Sequence, residues 1–171
     1  MELHLSTWRA GSTRPDWTAA AVAGLAAGAV LMVLELFWAA SMSGDGPWRL
    51  PHMVAAIILG SGWLESAAAG GYAFHAGVVA AALVVHYALG VAFGLVLGLL
   101  VSWLRLDTLL GRMEALGAVF GVLLYLFNFH LMAQVFPWFA ELQGGATLTA
   151  HLVFGISAAL LYWKLARRDP R

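Results

Sequence analysis

Four long, almost entirely apolar stretches constrain the fold of this chain more than any other feature, at residues 17–40, 77–104, 116–136 and 147–165. Crossing the hydrocarbon core of a bilayer takes about 20 mainly apolar residues, so each stretch is long enough to span. Backbone polar groups find no water in hydrocarbon, which restricts a spanning segment to a helix or a strand of a closed barrel. The stretches do not alternate apolar with polar residues, which favours helices. The sequence therefore predicts an all-α membrane protein, a four-transmembrane-helix bundle.

The composition supports the lipid bilayer as the main partner of the chain. Of its 171 residues, 62% are hydrophobic and 11% are charged, and a water-soluble domain could not bury so much apolar surface. Nine basic and nine acidic residues give zero net charge, which excludes the basic surface of a nucleic-acid-binding protein. The absence of cysteine excludes disulfides, thiolate metal sites and iron–sulfur clusters.

The basic residues predict the orientation of the chain, because short cytoplasmic loops carry an excess of Lys and Arg. Eight of the nine fall on one side of the predicted membrane, and only Arg49 falls on the other. The eight are Arg9, Arg14, Arg105, Arg112, Lys164, Arg167, Arg168 and Arg171. We therefore expect the tails at 1–16 and 166–171 and the loop at 105–115 to be cytoplasmic. The chain then forms two helix pairs, at 17–104 and 116–165, and the first pair contains an outer loop at 41–76.

The first outer loop contains a further apolar stretch at residues 52–64, which lies between Pro51 and the glycines Gly60 and Gly62. This stretch is too short to span, so it predicts an interfacial or re-entrant helix. An aromatic run at 136–139 in the second outer loop is typical of an interfacial belt. Membrane anchoring explains both segments, and a lid over an outward-facing cavity is the alternative.

The two halves of the chain share a spacing of small and polar residues. Each half has a helix with G-x-x-x-G followed seven residues later by a polar residue, and then a helix with H-x-x-x-G. The residues are Gly24, Gly28, Glu35, His86 and Gly90 in the first half, and Gly117, Gly121, Asn128, His151 and Gly155 in the second. This spacing predicts a 2+2 parallel internal repeat about an axis along the membrane normal, with both histidines pointing into the bundle. Chance recurrence in glycine-rich helices is the alternative.

Four polar residues, Glu35, His86, Asn128 and His151, are predicted to form one layer in the outer half of the membrane. They share helix faces with the glycines, which mark close helix contacts, and ionisable groups in a span usually face the protein interior. His130 lies at similar depth on the opposite face of its helix from Gly121. It is expected to face another neighbour or a partner subunit of a homo-oligomer.

Three interpretations of this layer remain open. The first is a hydrogen-bond network that fixes helix register, as in a structural or assembly subunit of a membrane complex. The second is a cofactor site: His86 and His151 would be axial ligands of a haem b, or Glu35, His86, Asn128, His130 and His151 would supply ligands to a transition metal ion. The third is a proton or solute conduit. A haem or metal site, in an electron-transfer or respiratory-complex component, is the leading expectation.

Independent enzymatic activity is not expected, because no P-loop, nucleophile elbow or dinucleotide-binding motif is present. The residues at 35–37, 85–87, 125–129 and 150–155 resemble those of a group of small bacterial inner-membrane proteins with four helices. Some members carry a sodium:proline symporter label, although such symporters need many more helices. The resemblance implies a bacterial inner membrane and no particular activity.

Overall fold

The structure, a computed structural model, describes residues 14–42, 44–106 and 110–166. Six α-helices are present in this part of the chain: α1 (Trp17–Met42), α2 (Arg49–Leu59), α3 (Ser61–Ala69), α4 (Ala76–Leu104), α5 (Leu110–Leu126) and α6 (Gly145–Ala166). A π-helical turn at Phe127–Leu131 and 3-10 turns at Met132–Gln134 and Pro137–Leu142 connect α5 to α6. No strand occurs among these residues, and the predicted all-α class is confirmed.

Four of the helical segments are long and apolar enough to cross a membrane, at Trp17–Ser41, Ala76–Leu104, Leu110–Gln134 and Gly145–Ala166. Large apolar side chains on them are exposed, such as Phe37, Val84 and Trp103, as expected of surfaces that face lipid. The chain is a multi-pass membrane protein. The third span begins earlier than predicted, because α5 includes the charged residues Arg112 and Glu114, which a search for apolar residues leaves out.

Glycines set the closest helix contacts. A Cβ atom added to Gly24 of α1 would lie 2.8 Å from the Cα atom of Gly94 in α4. A Cβ atom added to Gly117 of α5 would lie 2.8 Å from the Cα atom of Ile156 in α6. Only glycine allows backbones to approach this closely. Gly24 and Gly117, which have the same place in the two spacing patterns, therefore both allow a close contact between helices.

The helix packing is nevertheless not two-fold symmetric. Helix α1 packs along both α4 and α6, and α5 packs along α6, but the described parts of α4 and α5 share no comparable interface. A two-fold axis along the membrane normal would require that interface, since it would exchange the α1–α6 pair with the α5–α4 pair. The internal duplication stays a prediction, and the gap between α4 and α5 leaves room within the bundle.

The end of the bundle where α1 ends and α6 begins is called the loop face here. Helix α2 packs against α4 at this face, and its Met53 side chain is buried against Phe129 and Phe139. The Nε1–H group of Trp138 donates a hydrogen bond of 3.0 Å to the backbone oxygen of Met53. The aromatic run thus packs on α2, as the lid interpretation requires. The depth of α2 in the membrane stays a prediction.

The predicted short helix differs from the observed one at both ends. Pro51 lies within the first turn of α2, where a proline needs no hydrogen-bond donor. Gly60 ends α2 with a positive φ of 91°, and α3, which follows, has no buried residue. A stretch predicted as one helix is therefore two helices with different environments.

The described basic residues divide between the two ends of the bundle as predicted. Arg14, Arg105, Arg112 and Lys164 lie at or beside helix ends opposite the loop face, whereas Arg49 begins α2 at the loop face. The other predicted cytoplasmic residues, Arg9, Arg167, Arg168 and Arg171, lie outside the described residues, as does most of the tail at 1–16. Which face is cytoplasmic stays a prediction.

Candidate functional site

The four residues of the predicted polar layer line one cavity of about 460 Å³ in the loop-face half of the bundle. The cavity occupies the space between α4 and the π-helical turn, and α2 covers it through Leu50, Val54 and Ile57. Both predicted histidines face this interior. Six aromatic rings share the lining: Phe93, Phe127, Phe129, Phe136, Phe139 and Phe154. The site is therefore an aromatic chamber with a small number of polar groups.

Within the π-helical turn at Phe127–Leu131, neighbouring residues differ in whether they face the chamber. Asn128 and Phe129 line the chamber, but His130 is exposed and does not. The ring of His130 instead lies 5.5 Å from that of Tyr125. Turns of this type are frequent at functional sites. The structure thus brings His86, His151, Glu35 and Asn128 together and leaves out His130.

Polar groups from the segment before α6 support this irregular backbone. The Gln143 side-chain amide donates a hydrogen bond to the backbone oxygen of Phe129. The backbone N–H of Gly144 donates to the hydroxyl oxygen of Tyr125 over 3.2 Å. Irregular backbone at membrane depth is tolerated where the protein itself supplies such partners, so the turn that carries Asn128 is held in place.

His151 is held by hydrogen bonds at both of its ring nitrogens. Its Nδ1 atom lies 2.9 Å from the backbone oxygen of Thr147, and since a carbonyl can only accept, Nδ1 carries the proton. The Nε2 atom is then an acceptor, and the Asn128 amide nitrogen donates to it over 3.2 Å. His151 is therefore a neutral imidazole, and it has no lone pair left for a ligand.

His86 makes one hydrogen bond, to the backbone of the neighbouring helix. Its Nε2 atom donates to the backbone oxygen of Gly28 over 2.8 Å. Nε2 therefore carries a proton, and in the neutral ring the Nδ1 atom is an acceptor. A Cβ atom added to Gly28 would lie 3.8 Å from this Nε2 atom, so the glycine leaves room for the ring.

Glu35 differs from the other three, because its carboxyl group makes no hydrogen bond or ion pair with the described residues. It lies two turns before the end of α1, and it lines the chamber and two smaller cavities of about 230 and 120 Å³. An ionisable group in a spanning helix is costly and usually faces a partner or a water-filled cavity, so the half-buried Glu35 carboxyl group calls for a ligand or water as its partner.

The unused polar atoms of the chamber are mostly hydrogen-bond acceptors. They are the Glu35 oxygens, the His86 Nδ1 atom and the Asn128 Oδ1 atom, since the Asn128 amide nitrogen and both His151 nitrogens are engaged. An acceptor is satisfied only by a donor. The chamber is therefore complementary to a molecule that presents N–H or O–H groups.

The arrangement does not form a ready-made metal or haem site. Among residues 14–42, 44–106 and 110–166, no three His, Cys, Asp or Glu side chains lie close enough to hold a metal ion. The Nε2 atoms of His86 and His151 are both hydrogen-bonded. Axial ligation of a haem through these atoms would first require the bonds to Gly28 and Asn128 to break.

No protein-family model, curated protein or solved structure matches this chain. The function is therefore inferred from the chamber and its residues. The structure adds residues that the sequence analysis did not assign to a site, namely Phe93, Phe127, Phe129 and Phe154 in the chamber and Arg49, which lines a smaller cavity together with Glu35. Five of the six phenylalanines lie between residues 93 and 139, and only the packing of α2 over the π-helical turn brings them to one place.

Proposed function

We propose that this multi-pass membrane protein binds a lipid-soluble organic cation, such as an aromatic ammonium, in the chamber. The observation that carries the proposal is the partnerless carboxyl group of Glu35 in an aromatic cavity. Glu35 supplies the counter-charge, and ring faces attract a cation through their quadrupoles, each by about 0.5–2 kcal/mol. The acceptors His86 Nδ1 and Asn128 Oδ1 then orient the N–H groups of the ligand.

The size and chemistry of the chamber support a small organic ligand. Pockets for such ligands span about 300–1,000 Å³ and combine apolar walls with a few convergent polar groups. The chamber, at about 460 Å³, is within this range. Charge balance favours a cation over a neutral molecule, because Glu35 is the acidic residue of the lining and His151 is a neutral imidazole.

A purely structural role for the polar layer explains only part of it. The bonds of His86 to Gly28, and of Asn128 to His151, join neighbouring helices and fix their register. Glu35 takes no part in that network. A carboxyl group without a partner in a spanning helix destabilises the protein and does not fix the register of the helices. A structural role therefore does not explain Glu35.

A haem or a transition metal ion is the second candidate ligand. Two neutral histidines on different helices line one cavity, and this favours it, since neutral imidazole is the ligating form. Haem ligation through the Nε2 atoms would break the bonds of His86 and Asn128, and no three His, Asp or Glu side chains of the described residues are close enough for a metal ion, which ranks this candidate below the cation. A Soret band, or stoichiometric metal in the purified protein, would establish this candidate in place of the first.

The proposed setting is the bacterial inner membrane, with both termini cytoplasmic and the loop face outside. The distribution of Arg14, Arg105, Arg112 and Lys164 away from the loop face supports this orientation. The resemblance to small four-helix inner-membrane proteins supports the compartment. The chamber would then lie in the outer half of the membrane.

Binding of a primary ammonium that carries a naphthyl group tests the proposal, with its neutral alcohol analogue as the comparison. We expect saturable binding to the protein in detergent, with the ammonium preferred. Glu35→Gln should weaken ammonium binding by about ten- to hundredfold, because a hydrogen bond to a charged group contributes about 1.5–3 kcal/mol, and should leave alcohol binding almost unchanged.

Glu65→Gln is the matched control, since Glu65 is exposed on α3 and does not line the chamber. It should bind both probes like the unsubstituted protein. Equal affinity for ammonium and alcohol, or an unchanged affinity in Glu35→Gln, would contradict the proposal.

A further inference from the structure

We infer that Glu35 is reached from the aqueous solution at the loop face through the second cavity, and that Arg49 is the gate of this path. The inference rests on the proposed function only in taking Glu35 as the ligand-binding group. It adds the route by which a ligand enters and leaves, and it identifies the side of the membrane with which the chamber exchanges.

The second cavity connects the chamber residue Glu35 with charged residues of the loop face. It has a volume of about 230 Å³, and both Glu35 and Arg49 belong to its lining. Its walls come from α1, through Trp38, and from α6, through Thr147 and Thr149. Glu35 therefore has the chamber on one side and a cavity that extends to the loop segments on the other.

Unsatisfied polar atoms indicate that the second cavity holds water. The Nε–H group of Arg49 is buried and has no hydrogen-bond partner among the described residues. The hydroxyl groups of Thr147 and Thr149 donate to the backbone oxygens of Leu142 and Gly145 over 2.7 and 2.8 Å, which leaves their own oxygens free to accept. A cavity of this size with two to four polar partners can accommodate water.

Arg49 holds the outer end of the path with two ion pairs to exposed acidic residues. Its guanidinium group contacts Glu141, in the segment before α6, and lies 3.1 Å from Asp45, in the loop after α1. The acidic partners are exposed by 58% and 52%. Ion pairs in contact with water contribute only about 0–1 kcal/mol each, so Arg49 can move aside at little cost.

The third cavity is the weaker candidate for this route. It also includes Glu35, with a volume of about 120 Å³. Its other lining residues are almost all apolar, including Met32, Leu36 and Val79. Water is stable only where a cavity offers it several polar partners. Besides Glu35, the third cavity offers His86 and Trp48, whereas the second offers the charged Arg49 and two hydroxyl groups.

The chain has no cysteine, so single cysteines can report water access directly. We would place one at Glu35, one at Val153, which also lines the second cavity, and one at Leu123, an exposed apolar residue of α5. Each variant is reconstituted in liposomes and treated, from one side at a time, with a membrane-impermeant cationic methanethiosulfonate. Only a hydrated thiolate reacts with this reagent.

We expect Glu35→Cys and Val153→Cys to react from the loop-face side at least about tenfold faster than Leu123→Cys, because thiolates form poorly in hydrocarbon. Adding Arg49→Ala should raise both rates by about two- to fivefold, the effect of losing up to about 1 kcal/mol of ion pairing. Val153→Cys carries the test if Glu35→Cys does not fold.

Modification no faster than at Leu123→Cys, or only from the opposite side, would overturn the path. Rates that Arg49→Ala leaves unchanged would overturn the gate. Labelling needs no ligand, so a failure here is distinct from a failure of the ammonium to bind.

Discussion

Gly24→Ala is expected to destabilise the bundle, whereas Gly28→Ala, one turn away on the same helix, is expected to be tolerated. A Cβ atom at Gly24 would lie 2.8 Å from the Cα atom and 3.0 Å from the nitrogen atom of Gly94. These are backbone atoms, so α1 and α4 would have to separate. At Gly28 the nearest atom is 3.8 Å away, which is an ordinary contact.

Both substitutions improve helix propensity, but only Gly24→Ala overpacks the interface between α1 and α4. Alanine improves helix propensity over glycine by about 1 kcal/mol at either position, while overpacking at Gly24 costs about 1–3 kcal/mol or more. We therefore expect a lower midpoint of thermal unfolding in detergent for Gly24→Ala, and an unchanged or higher midpoint for Gly28→Ala. Equal midpoints would show that α1 and α4 do not meet at Gly24.

Met53→Ala is expected to release α2 from the chamber. The Met53 side chain is 1% exposed and packs against Phe129 and Phe139. Removing a buried methionine side chain costs about 2–5 kcal/mol through lost contacts and the cavity left behind. The other described contacts of α2 with the second half of the chain are those of Ile57 with the same cluster, of Trp138 with the α2 backbone and of Arg49 with Glu141, so this loss should appear as local opening.

Hydrogen–deuterium exchange of the α2 amides measures that opening. We expect exchange to rise by at least about thirtyfold in Met53→Ala, which corresponds to about 2 kcal/mol. Ile58→Ala is the control on the same helix, because Ile58 is 58% exposed, and it should exchange almost normally. Equal exchange in the two variants would mean that Met53 does not hold the lid.

The spans and the inward-facing residues could be predicted because each depends on a local property. A continuous apolar stretch is sufficient to place a spanning helix, and the positions of α1, α4 and α6 differ from the prediction by at most about two residues. The spacing of Gly28 from Glu35 and of Gly90 from His86 predicted which helix faces meet. That prediction placed both histidines correctly toward the interior.

The chamber itself could not be predicted, because it depends on contacts between distant segments. Three features have no signature in the apolar pattern: the lack of an extended interface between the described parts of α4 and α5, the π-helical turn at Phe127–Leu131, and the packing of Met53 over that turn. The 2+2 repeat, which concerns the same helix contacts, stays a prediction. Arg49 was recognised only as the basic residue outside, and its place in the lining of a cavity shared with Glu35 follows from the fold of the loop.

Photo-crosslinking most directly tests the claim that the chamber holds an organic cation. A naphthyl ammonium with a diazirine group is bound to the protein and irradiated, and the modified residues are located by mass spectrometry. We expect modification at buried chamber residues such as Leu31, Phe129 and Phe154, and its loss with excess unmodified ammonium or in Glu35→Gln. Modification spread over lipid-facing residues such as Trp103, and not reduced by the competitor, would contradict the claim.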